Sequence, residues 1–157
     1  MSTNPIPATH TTATPYLIVS DANAAIGFYQ AVFGATALVR LASPDGKVAH
    51  AELQFGNVRI MLADEYPDMG YKSPQTLGGS AVSMLVYVED VDAVHDRAVN
   101  EGAQSMMPVS DQFDGDRRGT IVDPFGHIWL LASRRETISY AEMQTRFDKL
   151  MQEGGGA

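Results

Sequence analysis

The spacing of apolar residues along this chain switches from strand-like to helical and back, and it does so twice. Residues 17–35 read LIVSDANAAIGFYQAVFGA: a β-rich run, an acidic residue, then Ala25, Tyr29 and Val32 on one helical face before a Gly stop. Residues 85–103 read LVYVEDVDAVHDRAVNEGA and follow the same course, with Val91, Val94 and Ala98 as the helical stripe. Aligned without a gap, Asp21 falls on Glu89, Ala25 on Ala93, and Gly34-Ala35 on Gly102-Ala103. The pattern predicts helices over 22–33 and 91–101. Three β-like runs follow each: 36–41, 48–55 and 58–63, then 104–109, 119–122 and 128–132. Ser43-Pro44-Asp45-Gly46, Gly56-Asn57 and Pro124-Phe125-Gly126 supply the turns, because Pro presets φ and Gly accepts positive φ.

Each copy is therefore a βαβββ module, and internal self-similarity of this kind is an architectural signal. One module has too little core to stand alone, so the expected fold is α+β, with two modules forming a concave mixed β-sheet and helices on its convex side. The expected organisation is a flexible tail at 1–13, a first module at 14–64, a linker loop at 65–79, and a second module at 80–134. Residues 135–157 then form a C-terminal helix with a Gly-rich end. That helix opens on Ser139-Tyr140-Ala141-Glu142, a capping box, and carries Met143, Phe147 and Leu150 as an apolar stripe running to about Met151. Such a stripe covers the chain's own sheet or reaches a second subunit.

Composition narrows the function classes. A net charge of −8 with no basic stripe argues against a nucleic-acid partner. The absence of Cys removes disulfides, thiolate catalysis and Cys-ligated zinc. The longest apolar run, 84–88, is too short to span a bilayer, so no membrane partner is expected. Residues 1–12 have neither a basic start nor an apolar signal core, which points to a cytoplasmic protein.

With its paired modules, AAIGFYQAVFGA in the first and DPFGHIW closing the second, the chain resembles the vicinal oxygen chelate superfamily. That superfamily spans glyoxalase I, extradiol dioxygenases, fosfomycin-modifying enzymes and bleomycin-resistance binding proteins. PYLIVSDANAAIGFYQAVFGA, VAHAELQFGN and GDRRGTIVDPFGHIWLLASRRE look most like its PhnB-like branch, over residues 14–135, although that branch has an aromatic where this chain has Asp114. The resemblance implies four inward strand positions that hold a metal in the enzymes. They fall near Thr14, Met61, Ser83 and Leu130, none of which is a His or carboxylate. The expectation is a member with no metal and no other cofactor, assembled as a homodimer.

The same strand faces carry Met61, Leu85, Tyr87 and Leu130, which with Ser83 and Tyr16 are expected to line a cup for a small, partly aromatic ligand. The plainer alternative is that these residues pack on each other as core. Arg117 either guards the mouth of the cup for an anionic ligand group or braces the hairpin through Asp114 or Asp116. In VAHAELQF, strict alternation places Val48, His50, Glu52 and Gln54 on one face and Ala49, Ala51, Leu53 and Phe55 on the other. His50 and Glu52 are thus polar contacts, a solvent-facing strand face, or, in a glyoxalase-type lyase or isomerase, the catalytic pair or non-standard metal ligands. His10 reads as part of the tail, His95 as a solvated helix face, His127 as a local turn contact, and Trp129 as core beneath a helix. Should a ligand ignore Tyr87 and Arg117, the loop over 66–71 is the next place to look.

Overall fold

The computed structural model describes residues 5–154. The chain divides into two compact units. The first holds β1 (Tyr16–Val19), α1 (Ala22–Phe33), β2 (Thr36–Ala42), β3 (Val48–Phe55) and β4 (Val58–Asp64). A 3₁₀ turn (Pro67–Met69) and a one-turn helix, α2 (Pro74–Leu77), follow. The second unit holds β5 (Ser83–Tyr87), α3 (Val91–Asn100), β6 (Gln104–Asp111), β7 (Asp116–Val122), β8 (Ile128–Arg134) and α4 (Tyr140–Gly154). The strands form two four-stranded sheets, β1-β4-β3-β2 and β5-β8-β7-β6. In each the first strand runs parallel to the last and the other pairs are antiparallel. The α+β class and the two βαβββ modules are as expected, each module closing its own four-stranded ladder.

Each helix covers one face of its sheet. In α1 the predicted stripe Ala25, Tyr29 and Val32 is fully buried, as are Val19, Leu53 and Leu62 of the sheet. Asp21 caps α1 by accepting from the amide of Ala24, and Asp90 caps α3 by accepting from Ala93. These caps correct the ungapped alignment: Asp21 corresponds to Asp90, not Glu89. Asp64, at the end of β4, accepts from the amide of Ala22, while Ser133, at the end of β8, accepts from that of Val91. α3 is shorter than α1, so the Gly-Ala pairs align again only at the helix ends.

The buried face of α3 is Val91, His95 and Ala98, with Val94 half-buried. His95 is therefore core, not a solvated face. Gly119 beneath it leaves the room, and the Ser105 hydroxyl lies 3.0 Å from His95 Nε2. Trp129 is buried as expected, its indole N–H donating to Asp123 at 2.9 Å. The turn Pro124–His127 belongs to the first unit. There Phe125 meets Phe28 and Tyr29 edge-on, and His127 Nε2 lies 3.0 Å from the carbonyl of Ile18, a long-range contact rather than a local one.

In α4 the Ser139 hydroxyl accepts from the Glu142 amide, as a capping box requires. The Glu142 carboxylate pairs instead with Arg146 one turn on. α4 runs past Met151 to Gly154 and buries none of its residues. Residues 1–4 of the expected tail and the last three residues of the Gly-rich end lie outside the described residues. Among the described residues no helix is long and apolar enough to cross a membrane.

Candidate functional site

β3 departs from strict alternation at its start. Val48 is buried with Ala51, Leu53 and Phe55, while Ala49 is exposed. A register shift against β2 between Leu41 and Ala42 is the cause, since a bulge turns the strand by one residue. Beyond it the expected faces hold. His50, Glu52 and Gln54 stand on the side turned away from the core, where Met61 of β4 pairs with both Tyr16 and Glu52.

There the polar side chains form a chain of contacts. The Tyr16 hydroxyl lies 2.8 Å from His50 Nδ1, and His50 Nε2 lies 3.3 Å from Glu52 Oε1. Arg59 donates to Glu52 Oε2 at 2.8 Å. His10 comes within 3.5 Å of the same oxygen, so this part of the amino-terminal segment is held against the sheet rather than free of it. The hydrogen bond to His50 foremost, then Arg59 and His10, hold the Glu52 carboxyl below its usual range against the opposing effect of burial. Burial, with Tyr71 adding to it, pushes the Tyr16 phenol up, so Tyr16 keeps its proton.

Beside this chain lies a cavity of about 400 Å³. Its walls are Tyr16 and Ile18 of β1 and Ala63 of β4, and its roof is Tyr66, Met69 and Tyr71. The roof loop is closed by paired backbone bonds between Tyr66 and Tyr71 and turns at Gly70, whose φ of 85° suits glycine. Glu65 anchors the far end of the loop by accepting from the amide of Ser73 and the hydroxyl of Thr76. Asp64 borders the cavity, but its two oxygens accept from the amides of Ala22 and Val48. The loop over 66–71 was legible in the sequence as a linker and as the second place to look for a ligand. α2 has no periodicity to betray it, only the Ser-Pro start typical of a capped turn.

The remaining candidates lie in the second unit. Ser83 and Leu85 are exposed, and Leu85 pairs with Leu130, which is half-buried. The Tyr87 hydroxyl donates to Asp116 and accepts from Arg134, whose guanidinium lies 5.7 Å from the Tyr87 ring centre. Tyr87 is therefore part of a charged brace. Arg117 pairs with neither Asp114 nor Asp116. It forms a two-pronged bridge to Asp92 at 2.7 Å for each prong and a third contact to Asp111. Those two carboxylates hold its pKa above the ordinary value. Asp114 and Asp116 instead serve Arg118 and Arg134. Arg117 borders a polar hollow of about 520 Å³, and any anion entering it competes with both of its carboxylates.

Of the four positions the resemblance singled out, Thr14 precedes β1 rather than lying on it, Met61 carries a thioether on β4, and Ser83 and Leu130 carry a hydroxyl and a hydrocarbon in the second unit. Among the described residues no three His, Asp or Glu side chains converge on one point.

Comparison with known proteins places this architecture. The sequence model of the Glyoxalase/Bleomycin resistance protein/Dioxygenase superfamily matches residues 8–131. An uncharacterized protein of Mycobacterium bovis is 44% identical over 133 residues, covering 83% of this chain and 88% of its own. Among solved structures, a gene product of Arabidopsis thaliana is 26% identical with a TM-score of 0.63, covering 78% of this chain and 98% of its own. A PhnB protein from Bacillus cereus has a TM-score of 0.64 at 20% identity, covering 78% of this chain and 99% of its own, and so shares the fold.

Proposed function

The chain belongs to the glyoxalase/bleomycin resistance protein/dioxygenase superfamily, and from that premise we propose that it binds a small, partly aromatic molecule without a metal, acting as a homodimer. The carrying observation is the cavity of about 400 Å³ beneath the 66–71 loop, a volume within the range of small-ligand pockets. Tyr16, Tyr66 and Tyr71 supply ring faces there and Met69 an adaptable apolar edge. Met61 belongs to the same sheet face, with His50 and Glu52 as its polar border. Ser83, Leu85, Tyr87, Arg117 and Leu130, expected to share the site, lie in the second unit, and Tyr87 and Arg117 are engaged in ion-pair networks. The reading therefore gives the principal contacts to the first unit.

A thermal-shift screen of flat aromatic compounds, followed by titration calorimetry of the hits, tests it. Tyr71→Ala is expected to weaken a hit by about 1–3 kcal/mol, the value of a buried aromatic anchor. Hits indifferent to Tyr71→Ala and weakened by Tyr87→Ala would move the site to the second unit.

A second reading, a lyase or isomerase of glyoxalase type, draws support from His50 standing between Tyr16 and Glu52. Glu52 is ionised and clamped by Arg59, which leaves His50 as the proton acceptor and Glu52 as the group that orients it. Deuterium exchange into the hemithioacetal of methylglyoxal and glutathione, present in wild type and absent in His50→Ala, would establish that activity.

A further inference from the structure

The hydrogen bonds around His50 determine which way the Tyr16 proton points, and through it which ligands the cavity accepts. Glu52 Oε2 is taken by Arg59, a permanent donor, and Oε1 faces His50 Nε2. A carboxylate has no proton to give, so Nε2 carries the imidazole hydrogen and donates it. In the neutral ring Nδ1 then holds a lone pair, and the contact at 2.8 Å requires the Tyr16 hydroxyl to be the donor. The phenolic proton is thereby committed to His50. What Tyr16, a cavity wall still 47% exposed, has left is an oxygen lone pair.

We propose that Tyr16 is a specificity residue that presents its oxygen only as an acceptor, with His50 and Glu52 as the positioning residues, so that the site selects aromatic ligands bearing an N–H or O–H donor. The inference rests on the cavity beneath the 66–71 loop being the ligand site. Of the other polar groups bordering that cavity, the Asp64 carboxylate has both oxygens already bonded to amides, the Tyr66 hydroxyl lies 3.4 Å from that of Ser43, and the Tyr71 phenol stays the same in every variant that keeps the loop intact. A ligand that offers only acceptors meets no complementary proton at Tyr16 and loses a hydrogen bond to water on entry.

Three probes of similar size separate the possibilities: indole, which donates; 1-methylindole, which does not; and quinoline, which accepts. Calorimetry is run on wild type, Tyr16→Phe, His50→Ala and Tyr71→Ala. Wild type should bind indole roughly 5-fold more tightly than 1-methylindole, the worth of one net hydrogen bond. Tyr16→Phe should shrink that ratio towards one. His50→Ala frees the phenolic proton, so quinoline should gain affinity relative to indole, an outcome that mere loss of a structural contact would not produce. Tyr71→Ala should weaken all three alike. If Tyr71→Ala weakens them but the indole preference is the same in wild type and Tyr16→Phe, the acceptor assignment is overturned and the cavity reading stands. Affinities that ignore Tyr71→Ala, or no binding of any probe, would overturn the cavity reading and this inference with it.

Discussion

Glu52 shows how a single residue's chemistry is set by neighbours distant in sequence. Its face on β3, and that of His50, can be read from alternation along VAHAELQF. Its ionisation depends foremost on the hydrogen bond with His50, then on Arg59 from the next strand and on His10 from the amino-terminal segment, which no local pattern brings together. The consequence is testable through pH. A carboxyl whose pKa is lowered on folding contributes stability that is fully present above its unfolded value, about 4.3. That stability is lost as pH falls through the lower folded value. Glu65, Asp92 and Glu136 are lowered too, so wild type loses stability on acidification for several reasons at once. The difference between wild type and Glu52→Gln isolates Glu52. In urea titrations from pH 7 to 3, the wild-type midpoint should fall more steeply below about pH 4.3 than that of the variant. Parallel curves would show that the His50–Glu52–Arg59 contacts do not persist in solution.

At the scale of elements, α3 and β7 illustrate a fit that depends on a missing side chain. A Cβ built on Gly119 would lie 2.8 Å from Val109 Cγ2, 3.0 Å from His95 Cδ2 and 3.3 Å from the Met107 carbonyl oxygen. The first two distances are too short for carbon contacts, and the imidazole has little freedom because Ser105 holds the adjacent Nε2. Gly119→Ala should therefore cost about 1–3 kcal/mol, the usual range for overpacking, measured as a lower denaturation midpoint. His95→Ala in the same chain should recover part of that loss, since it empties the space the new methyl group needs. Helical spacing predicted both helices, and α1 matches to the residue, because capping and the 3.6-residue period act locally. The same spacing favoured Val94 over His95 on α3, because hydropathy alone does not register a glycine on the strand beneath.

For the whole molecule, α4 is an amphipathic helix with no buried residue, and Leu150 and Met151 are 49% and 59% exposed. Phe147 differs from them in packing its ring 5.4 Å from Phe113 of its own unit. The proposed homodimer thus has a test that spares the helix's own anchoring. If α4 carries the interface, Leu150→Glu combined with Met151→Glu should convert a dimer to a monomer by sedimentation velocity at micromolar concentration, with the helical content by circular dichroism unchanged. A monomeric wild type would remove the proposal.

The sequence by itself determined the two modules, the bounds of α1 and β3, those of most other elements to within about two residues, with β7 starting earlier at Asp116, and the class of fold. Those follow from periodicity, turn chemistry and caps, all of which act over a few residues. The tertiary structure alone decided which charges meet. Arg117 found Asp92 and Asp111 rather than the carboxylates beside it in sequence, because β7 pairs with β6 and packs against α3. It also decided that the linker rich in Gly, Pro and Tyr folds over Tyr16 to roof a cavity. A side chain's partners are set by strand register and by which surfaces each module leaves facing its own loops, and neither is encoded in the spacing of residues along the chain.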